Sequence, residues 1–173
     1  MRFAYADPPY LGQCSRYGHD HQGRWDGTGG GCWDEPAQQH SLVAFLVEQF
    51  PDGWALSLST PSLRSILPEC PPDVRVMAWV KPFAVFKPNV NPGYCWEPVI
   101  VRGGRKLTRE QPTVRDWVSS VITLRKGLAG AKPAEFNRWV LDVLGYEDGD
   151  LLIDLFPGIK GMTVAAAQGR IAL

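Results

Sequence analysis

Short apolar runs that alternate with amphipathic helical segments constrain the fold of this chain more than any other feature. The run 3–6 is apolar and stops at Asp7-Pro8-Pro9, and the other runs also end at polar, proline or glycine residues. The predicted strands are 3–6, 54–58, 74–80, 97–102, a short one near 118–124, and 151–156; the predicted helices are 40–50, a short one capped by Thr60, 133–144 and 163–168. Such alternation is typical of α/β proteins with a largely parallel sheet. We expect a three-layer sandwich in which 151–156 is buried and 97–102, which contains Pro98, is an antiparallel edge strand.

Composition bounds the size of the molecule. The chain has 173 residues, enough for one domain with a hydrophobic core, and no apolar window approaches the roughly 20 residues of a membrane span. We expect a single domain over 1–173, with mobile loops at 11–39 and 84–96, which are rich in glycine, proline and polar residues. Four scattered cysteines and the lack of a basic, apolar leader predict a cytoplasmic protein with reduced thiols.

The charges are segregated although the formal net charge is zero. Residues 1–80 carry five Lys/Arg against nine Asp/Glu, residues 81–132 carry ten against three, and residues 133–173 carry three against six. A basic middle between acidic ends is suited to phosphate binding, and it is equally compatible with a solvated basic surface. Charge alone leaves both interpretations open.

The first chemical motif is Asp7-Pro8-Pro9-Tyr10, directly after the first predicted strand. Ligands of open α/β sheets bind beyond the carboxyl ends of the strands. Two prolines stiffen the backbone, so the Asp7 carboxylate and the Pro8 carbonyl project with little freedom. Two acceptors and an aromatic face suit an exocyclic amine on a stacked base. An ordinary turn after a strand would also explain this motif taken alone.

The second motif is the stretch 150–158, in which a strand is followed by an acid, an aromatic residue and the turn Pro157-Gly158. This is the layout in which backbone N–H groups and a carboxylate meet a nucleoside cofactor. Just upstream, Lys132-Pro133 opens the helix that leads into this strand. We expect the two motifs to fold side by side at one rim of the sheet.

These residues resemble the S-adenosylmethionine-dependent amino-methyltransferases that act on adenine N6, in particular small actinobacterial and phage proteins related to the MT-A70 group. Asp7 to Tyr10 match the DPPY/W motif, Lys132-Pro133 with Phe136 match K-P-x-x-F, and 154–158 match the cofactor loop D-L-F-P-G. The resemblance covers nearly the whole chain and implies a Rossmann-like methyltransferase sheet with the permuted motif order, catalytic motif first.

The resemblance also implies roles for individual residues. The implied catalytic residues are Asp7, Pro8, Pro9 and Tyr10, and the implied S-adenosylmethionine-binding residues are Ala6, Asp7, Lys132, Pro133, Asp154, Leu155, Phe156, Pro157, Gly158 and Gly161. The implied nucleic-acid face is the basic segment 97–132 with its flank; its predicted contacts are Lys87, Arg102, Arg105, Lys106, Arg109, Arg115, Arg125 and Lys126. The first letter of the motif favours adenine over cytosine, and DNA is favoured over RNA.

The chain departs from the family pattern at two places. Lys160 stands where a second glycine is usual, and the sequence stops at Leu173, directly after the helix that follows the glycine turn. The fold is therefore expected to be truncated there, without the strand whose acid binds the cofactor ribose. Two hypotheses follow: an adenine-N6 DNA methyltransferase, or a catalytically impaired or partner-dependent nucleic-acid-binding homologue, with a homodimer or partner subunit completing the cofactor half.

Other polar residues carry weaker signals. Cys14, His19, His21 and Cys32 have an irregular spacing that matches no common zinc module, so we expect no metal. Tyr17, His19, Asp20 and Trp25 are expected in a loop that closes over the base. Trp79, Trp96 and Trp117 are expected mainly in core packing, although each could stack on a base. For Glu97, a role near the site and a plain surface or satisfied carboxylate are both open.

Overall fold

The computed structural model describes residues 1–12, 33–83, 88–122, 131–157 and 161–168. Within them lie the strands β1 (Arg2–Ala6), β2 (Gly53–Ser57), β3 (Arg75–Val80), β4 (Trp96–Gly103), β5 (Trp117–Ser119) and β6 (Leu151–Asp154), and the helices α1 (Pro36–Gln49), α2 (Thr60–Ile66), α3 (Ala134–Leu144) and α4 (Gly161–Ala167). Within this part of the chain, no helix has the length and apolar character that a membrane crossing requires.

The described strands form one sheet in the order β5-β3-β4-β2-β1-β6. β1 pairs in parallel with β2 and β6, and β3 pairs in parallel with β5. β4 pairs antiparallel with both β2 and β3. All described strands except β4 therefore run in one direction, and the predicted mostly parallel sheet is confirmed.

β4 is antiparallel, as predicted, but it lies inside the sheet. Pro98 pairs with Ala78 of β3, and its carbonyl accepts a hydrogen bond from the amide of Leu58, just after β2 has ended. A proline has no N–H to donate, so it is tolerated where the neighbouring ladder stops. The predicted edge position was wrong. A proline is tolerated inside the sheet at this point because the neighbouring strand β2 has already ended there.

Helices cover both faces of the sheet, as expected for three layers. Along β1, Phe3 and Tyr5 belong to a core cluster that includes residues of α3 and α4. Ala4 and Ala6, on the opposite face, belong to a second cluster that includes residues of α1 and α2. Because successive residues of a strand point to opposite faces, β1 is buried from both sides at the centre of the molecule.

Several element ends differ from the prediction. α1 begins at Pro36 and not at His40, so the last residues of the predicted loop 11–39 are helical. The cap of α2 is Ser59, whose side chain accepts from the Ser62 amide, and not Thr60. β6 is only partly buried, with Leu151 54% exposed, because it lies at the end of the strand order and pairs with β1. The predicted buried strand was therefore wrong in this respect.

The strand directions define two rims of the sheet. β1, β2, β3, β5 and β6 end at the rim where β4 begins, which we call the carboxyl edge. The opposite rim, where β4 ends, is the amino edge. Residues that follow the parallel strands and residues that open β4 therefore meet at the carboxyl edge.

Candidate functional site

The segment from Asp7 to Tyr10 leaves β1 at the carboxyl edge. Pro8 is buried, and the side chains around it are half-buried, with 20% of the Asp7 side chain exposed. Asp7 is thus held at the carboxyl edge, after an interior strand, with access to solvent. The observed position matches the one that the motif predicts.

Lys132 connects the two ends of this segment. Its Nζ donates to Asp7 Oδ1 and to the Tyr10 hydroxyl, both at 2.9 Å, and lies 3.6 Å from Glu97 Oε2. The side chain is 10% exposed. Lys132 stands just before α3, so the start of that helix delivers an ammonium to the end of β1. The residue predicted as a cofactor ligand thus contacts the predicted catalytic acid directly.

Glu97 and Lys81 complete a group of two carboxylates and two ammoniums. The Tyr10 hydroxyl lies 2.9 Å from Glu97 Oε2 and 3.2 Å from Asp7 Oδ1. Since a phenol has one hydrogen, it goes to the nearer Glu97 oxygen. Lys81, directly after β3, donates to the other oxygen of Glu97. Glu97 therefore belongs to the site, and the surface interpretation does not hold.

Burial and neighbouring charges shift the pKa values of Asp7 and Glu97 in opposite directions. Burial raises the pKa of Asp7 above its usual value, and the charge of Lys132 offsets part of this rise. Burial also raises the pKa of Glu97, but the charges of Lys132 and Lys81 together hold that pKa below its usual value. Asp7 is therefore the better proton acceptor of the two.

Aromatic rings surround the Lys132 ammonium. Its Nζ lies 5.3 Å from the ring centre of Tyr10, 5.5 Å from that of Trp79 and 5.9 Å from that of Phe136. These distances suit cation–π attraction. Burial, followed by the charge of Asp7, raises the pKa of Tyr10 well above its usual value, so its hydroxyl stays protonated. The ring of Tyr10 is held by its hydroxyl at the rim of the sheet.

The second motif lies beside the first. Tyr5 of β1 is in register with Asp154 of β6, and the Leu155 amide donates to the Tyr5 carbonyl at 2.9 Å. The Phe156 amide donates to Asp154 Oδ1 at 3.2 Å. Burial raises the pKa of Asp154 to about 6; the Phe156 amide opposes this rise and the charge of Asp7 adds to it. The expected side-by-side arrangement of the two turns is observed.

The aromatic side chains of the two turns lean toward different layers. Phe156 packs edge-on against Trp33, with ring centres 5.0 Å apart, in the cluster below α1 and α2. The hydroxyl of Tyr10 instead contacts Lys132, which leads into α3. The turns therefore share one rim without sharing an aromatic contact.

The remaining predicted cofactor residues lie in different parts of the fold. Ala6 is fully buried in the core, and Pro133 occupies the cap position of α3. Gly161 opens α4, where a Cβ would lie 2.8 Å from the Asn137 side chain. Gly158 and Lys160 lie outside the described residues.

Among the described residues, the predicted nucleic-acid contacts lie away from Asp7. Arg102 and Arg105 lie at the amino edge, where Arg102 pairs with Asp73 at 2.9 Å and Arg105 pairs with Asp150 at 2.7 Å. Arg115 precedes β5 on the same side, with its guanidinium 5.4 Å from the Trp117 ring centre. Lys106 and Arg109 follow Arg105 and are exposed; Lys87, Arg125 and Lys126 lie outside the described residues.

The four residues that were weighed as metal ligands, Cys14, His19, His21 and Cys32, all lie outside the described residues. The same holds for Tyr17, Asp20 and Trp25 of the expected closing loop. The described part of the chain contains no cluster of three or more metal-ligating side chains. Trp79 packs in the core beneath Lys132, whereas Trp96 and Trp117 are 40% and 44% exposed. The core role expected for most of these tryptophans holds only for Trp79; it was wrong for Trp96 and Trp117, whose side chains are exposed.

Sequence reasoning missed Lys81 and Gln39. Lys81 follows β3 directly, and a charged residue after a parallel strand is the signal that could have identified it. Gln39 lies in α1, and its side-chain amide donates to the carbonyl of Pro9 at 2.9 Å. No sequence signal singles it out, because a glutamine in a helix is ordinary.

Comparison with solved structures places this site in a known fold. The crystal structure of the M1.HpyAVI–SAM complex matches with a TM-score of 0.54 and 13% sequence identity, over 97% of this chain and 78% of that one. The crystal structure of M1.HpyAVI matches with a TM-score of 0.52 and 14% identity, over 96% of this chain and 75% of that one. The chain shares their fold. No family model and no curated protein matches the chain. The predicted Rossmann-like α/β fold is confirmed by these matches.

Proposed function

We propose that this protein is a methyltransferase that uses S-adenosylmethionine and methylates the N6 amine of adenine in DNA. The observation that carries the proposal is the placement of Asp7, Tyr10 and Lys132 at the carboxyl edge, next to the turn after Asp154. The fold shared with the M1.HpyAVI–SAM complex supports the choice of cofactor.

The residues after β1 and β6 fit S-adenosylmethionine by their chemistry. The cofactor carries a sulfonium, an ammonium and ribose hydroxyls, and the carboxylates of Asp7 and Asp154 are half-buried acceptors on adjacent strands. Burial raises the pKa of both groups, and a cation bound beside them would favour their ionised forms. When bound, the cofactor supplies an electrophilic methyl group.

In the proposed reaction the Asp7 carboxylate and the Pro8 carbonyl accept hydrogen bonds from the target amine. Bound S-adenosylmethionine would supply the methyl group, and these two acceptors would leave the amine lone pair free to take it, with the sulfur departing as a neutral thioether. The Asp7 carboxylate would stabilise the positive charge that develops on the nitrogen and, with its raised pKa, would accept the one proton that the amine loses. Tyr10 offers the ring on which the base stacks.

Lys132 keeps Asp7 ready for this role in the free protein. An ammonium 2.9 Å from the carboxylate counteracts the tendency of burial to protonate it. Because the ammonium also contacts Tyr10, one cation orients both the acceptor and the stacking ring. We assign Lys132 and Glu97 as positioning residues.

Methyl transfer from labelled S-adenosylmethionine to DNA that contains every short adenine context tests the proposal. We expect product with the wild type and a loss of about 100-fold or more in kcat for Asp7→Asn, with a smaller change in cofactor Kd. Asp73→Asn, an exposed carboxylate at the amino edge, is the matched control and should leave the rate unchanged. RNA and cytosine-only DNA are tested in parallel.

The outcomes separate the two hypotheses. Calorimetry that detects no cofactor binding, with or without DNA, would end the enzyme assignment for this chain. Cofactor binding without product on any substrate would favour the catalytically impaired or partner-dependent homologue. Product that survives Asp7→Asn would remove Asp7 from the reaction.

A further inference from the structure

Gln39 is a buried polar side chain that touches the proposed catalytic segment. It lies in the first turn of α1 and is 1% exposed. Its Nε2 donates to the carbonyl of Pro9 at 2.9 Å and lies 3.4 Å from the carbonyl of Trp33. Both partners can only accept, so the nitrogen of the amide must face them and the orientation of the side chain is determined.

The amide is not arranged for maximal stability. Among the described residues, its Oε1 is buried and has no hydrogen-bond partner. A buried acceptor without a partner costs free energy and offsets what the donated bonds contribute. An apolar side chain of the same length would avoid this unsatisfied acceptor but would leave the Pro9 carbonyl without its donor, so the amide is best explained by what it holds.

The backbone of the segment needs anchors from outside. Pro8 and Pro9 have no N–H, so the segment can be fixed there only through carbonyls and side chains. Gln39 binds the Pro9 carbonyl, and two residues further along the chain the Leu11 amide donates to Ser62 Oγ at 3.3 Å. Helices α1 and α2, which cover the same face of the sheet, thus both hold this stretch of backbone.

The second contact of Gln39 leads to the other turn of the site. Trp33, whose carbonyl faces the same Nε2, packs edge-on against Phe156. Phe156 in turn follows Asp154 in the proposed cofactor turn. One amide therefore joins the backbone before Tyr10 to the residue that packs against the cofactor turn.

We propose that Gln39 is a positioning residue that fixes the Pro9 backbone relative to the turn after Asp154. The assignment rests on the proposed function, because it gives the two turns their roles. Its contribution is alignment: displacement of a reacting group by about 1 Å can cost on the order of 100-fold in rate. Gln39 itself is not expected to touch the base or the cofactor.

The test compares Gln39→Met, which keeps the length of the side chain but cannot donate, with Leu42→Val. Leu42 is fully buried on the same helix and has no polar side-chain atom, so it controls for general destabilisation. We expect Gln39→Met to lower kcat by roughly 10- to 100-fold while cofactor Kd changes less than about threefold. We expect Tm to fall no further than in Leu42→Val, whose kcat stays near the wild-type value.

A second variant, Gln39→Glu, tests the same hydrogen bond through the pH dependence of the rate. Gln39→Glu can donate to the Pro9 carbonyl only when the carboxyl is protonated, so its rate relative to the wild type should rise as the pH falls. A drop in kcat that follows Tm equally in Gln39→Met and Leu42→Val would overturn the assignment, as would a Gln39→Glu ratio that does not change with pH.

A readout without catalysis separates this proposal from the function. Hydrogen exchange at the Leu11 amide reports the hold on the segment directly, since that amide bonds to Ser62. We expect faster exchange in Gln39→Met than in Leu42→Val, even if the wild type proves to have no methyl-transfer activity. Equal exchange in both variants would refute the positioning role on its own.

Discussion

At the scale of single residues, the site depends on where one ammonium lies. Lys132 contacts Asp7 and Tyr10 and is close to Glu97, and each contact alone would be an ordinary ion pair or hydrogen bond. Together they place a cation between two carboxylates that would otherwise repel each other, and they keep the Asp7 carboxylate ionised against the effect of burial. The electrostatics of the rim therefore depends on Lys132 more than on any other described side chain.

Replacing Lys132 with methionine should shift the pH dependence of the reaction. The acceptor role requires an ionised Asp7, so kcat/KM falls as the pH drops through the Asp7 pKa. Lys132 lowers that pKa, and its removal raises it. We expect the acidic limb of the kcat/KM profile to move to higher pH, together with a lower maximum. Arg138→Met, which removes an exposed cation of α3, is the control and should leave the limb in place. An unchanged limb in Lys132→Met would show that Asp7 does not titrate under its influence.

At the scale of elements, the insertion of β4 determines which residues meet. Because β4 runs against its neighbours, Glu97 at its start reaches the carboxyl edge and Arg102 near its end reaches the amino edge. Five residues along a strand span roughly 17 Å at about 3.3 Å each. The length of β4 thus separates the candidate site from the arginines that were predicted to contact nucleic acid.

The turn after β4 fits against the turn before β2 only because of glycine. Gly103 has φ 68°, and a Cβ there would lie 2.7 Å from the Asp52 carbonyl oxygen. We expect Gly103→Ala to reduce the free energy of unfolding through both strain and overlap. Gly149→Ala, with φ 94° and open space around the Cβ, carries the strain alone, about 1–2 kcal/mol.

Urea unfolding of the two variants isolates the overlap. Gly103→Ala should lose about 1–3 kcal/mol more than Gly149→Ala, because the neighbouring atoms are backbone and cannot move aside cheaply. Equal losses would mean that the β2–β4 junction relaxes freely and does not hold the register of β4.

The periodicity of the sequence predicted most elements and both turns of the site, but not which strands are neighbours. The strand before Asp7, the glycine that ends α3 at Gly145 and the strand before the second turn all lie where local pattern and turn chemistry place them. The interior position of β4 could not be predicted, since pairing depends on contacts far apart in the chain. Glu97 and Gln39 enter the site through such contacts, which is why their roles became clear only in three dimensions.

At the scale of the whole molecule, the described residues of the predicted nucleic-acid face and the proposed reaction lie on opposite rims of one sheet. Lys106 and Arg109 are exposed near the amino edge, and Asp7 opens at the carboxyl edge. A nucleic acid that touches both must pass along the sheet, so contacts at the amino edge can add affinity without shaping the reaction. Binding and methyl transfer should then respond differently to the loss of positive charge.

Neutralising Lys106 and Arg109 together, as Lys106→Gln with Arg109→Gln, tests this separation. If both side chains contact phosphate, each removes about one unit from the slope of log Kd against log salt concentration, because fewer counterions are released on binding. The rate at saturating DNA should stay unchanged, since neither residue reaches Asp7. Arg64→Gln, an exposed arginine of α2, controls for a general loss of charge and should affect the slope less. A slope that equals that of the wild type would show that Lys106 and Arg109 do not contact phosphate and would remove both residues from the interface.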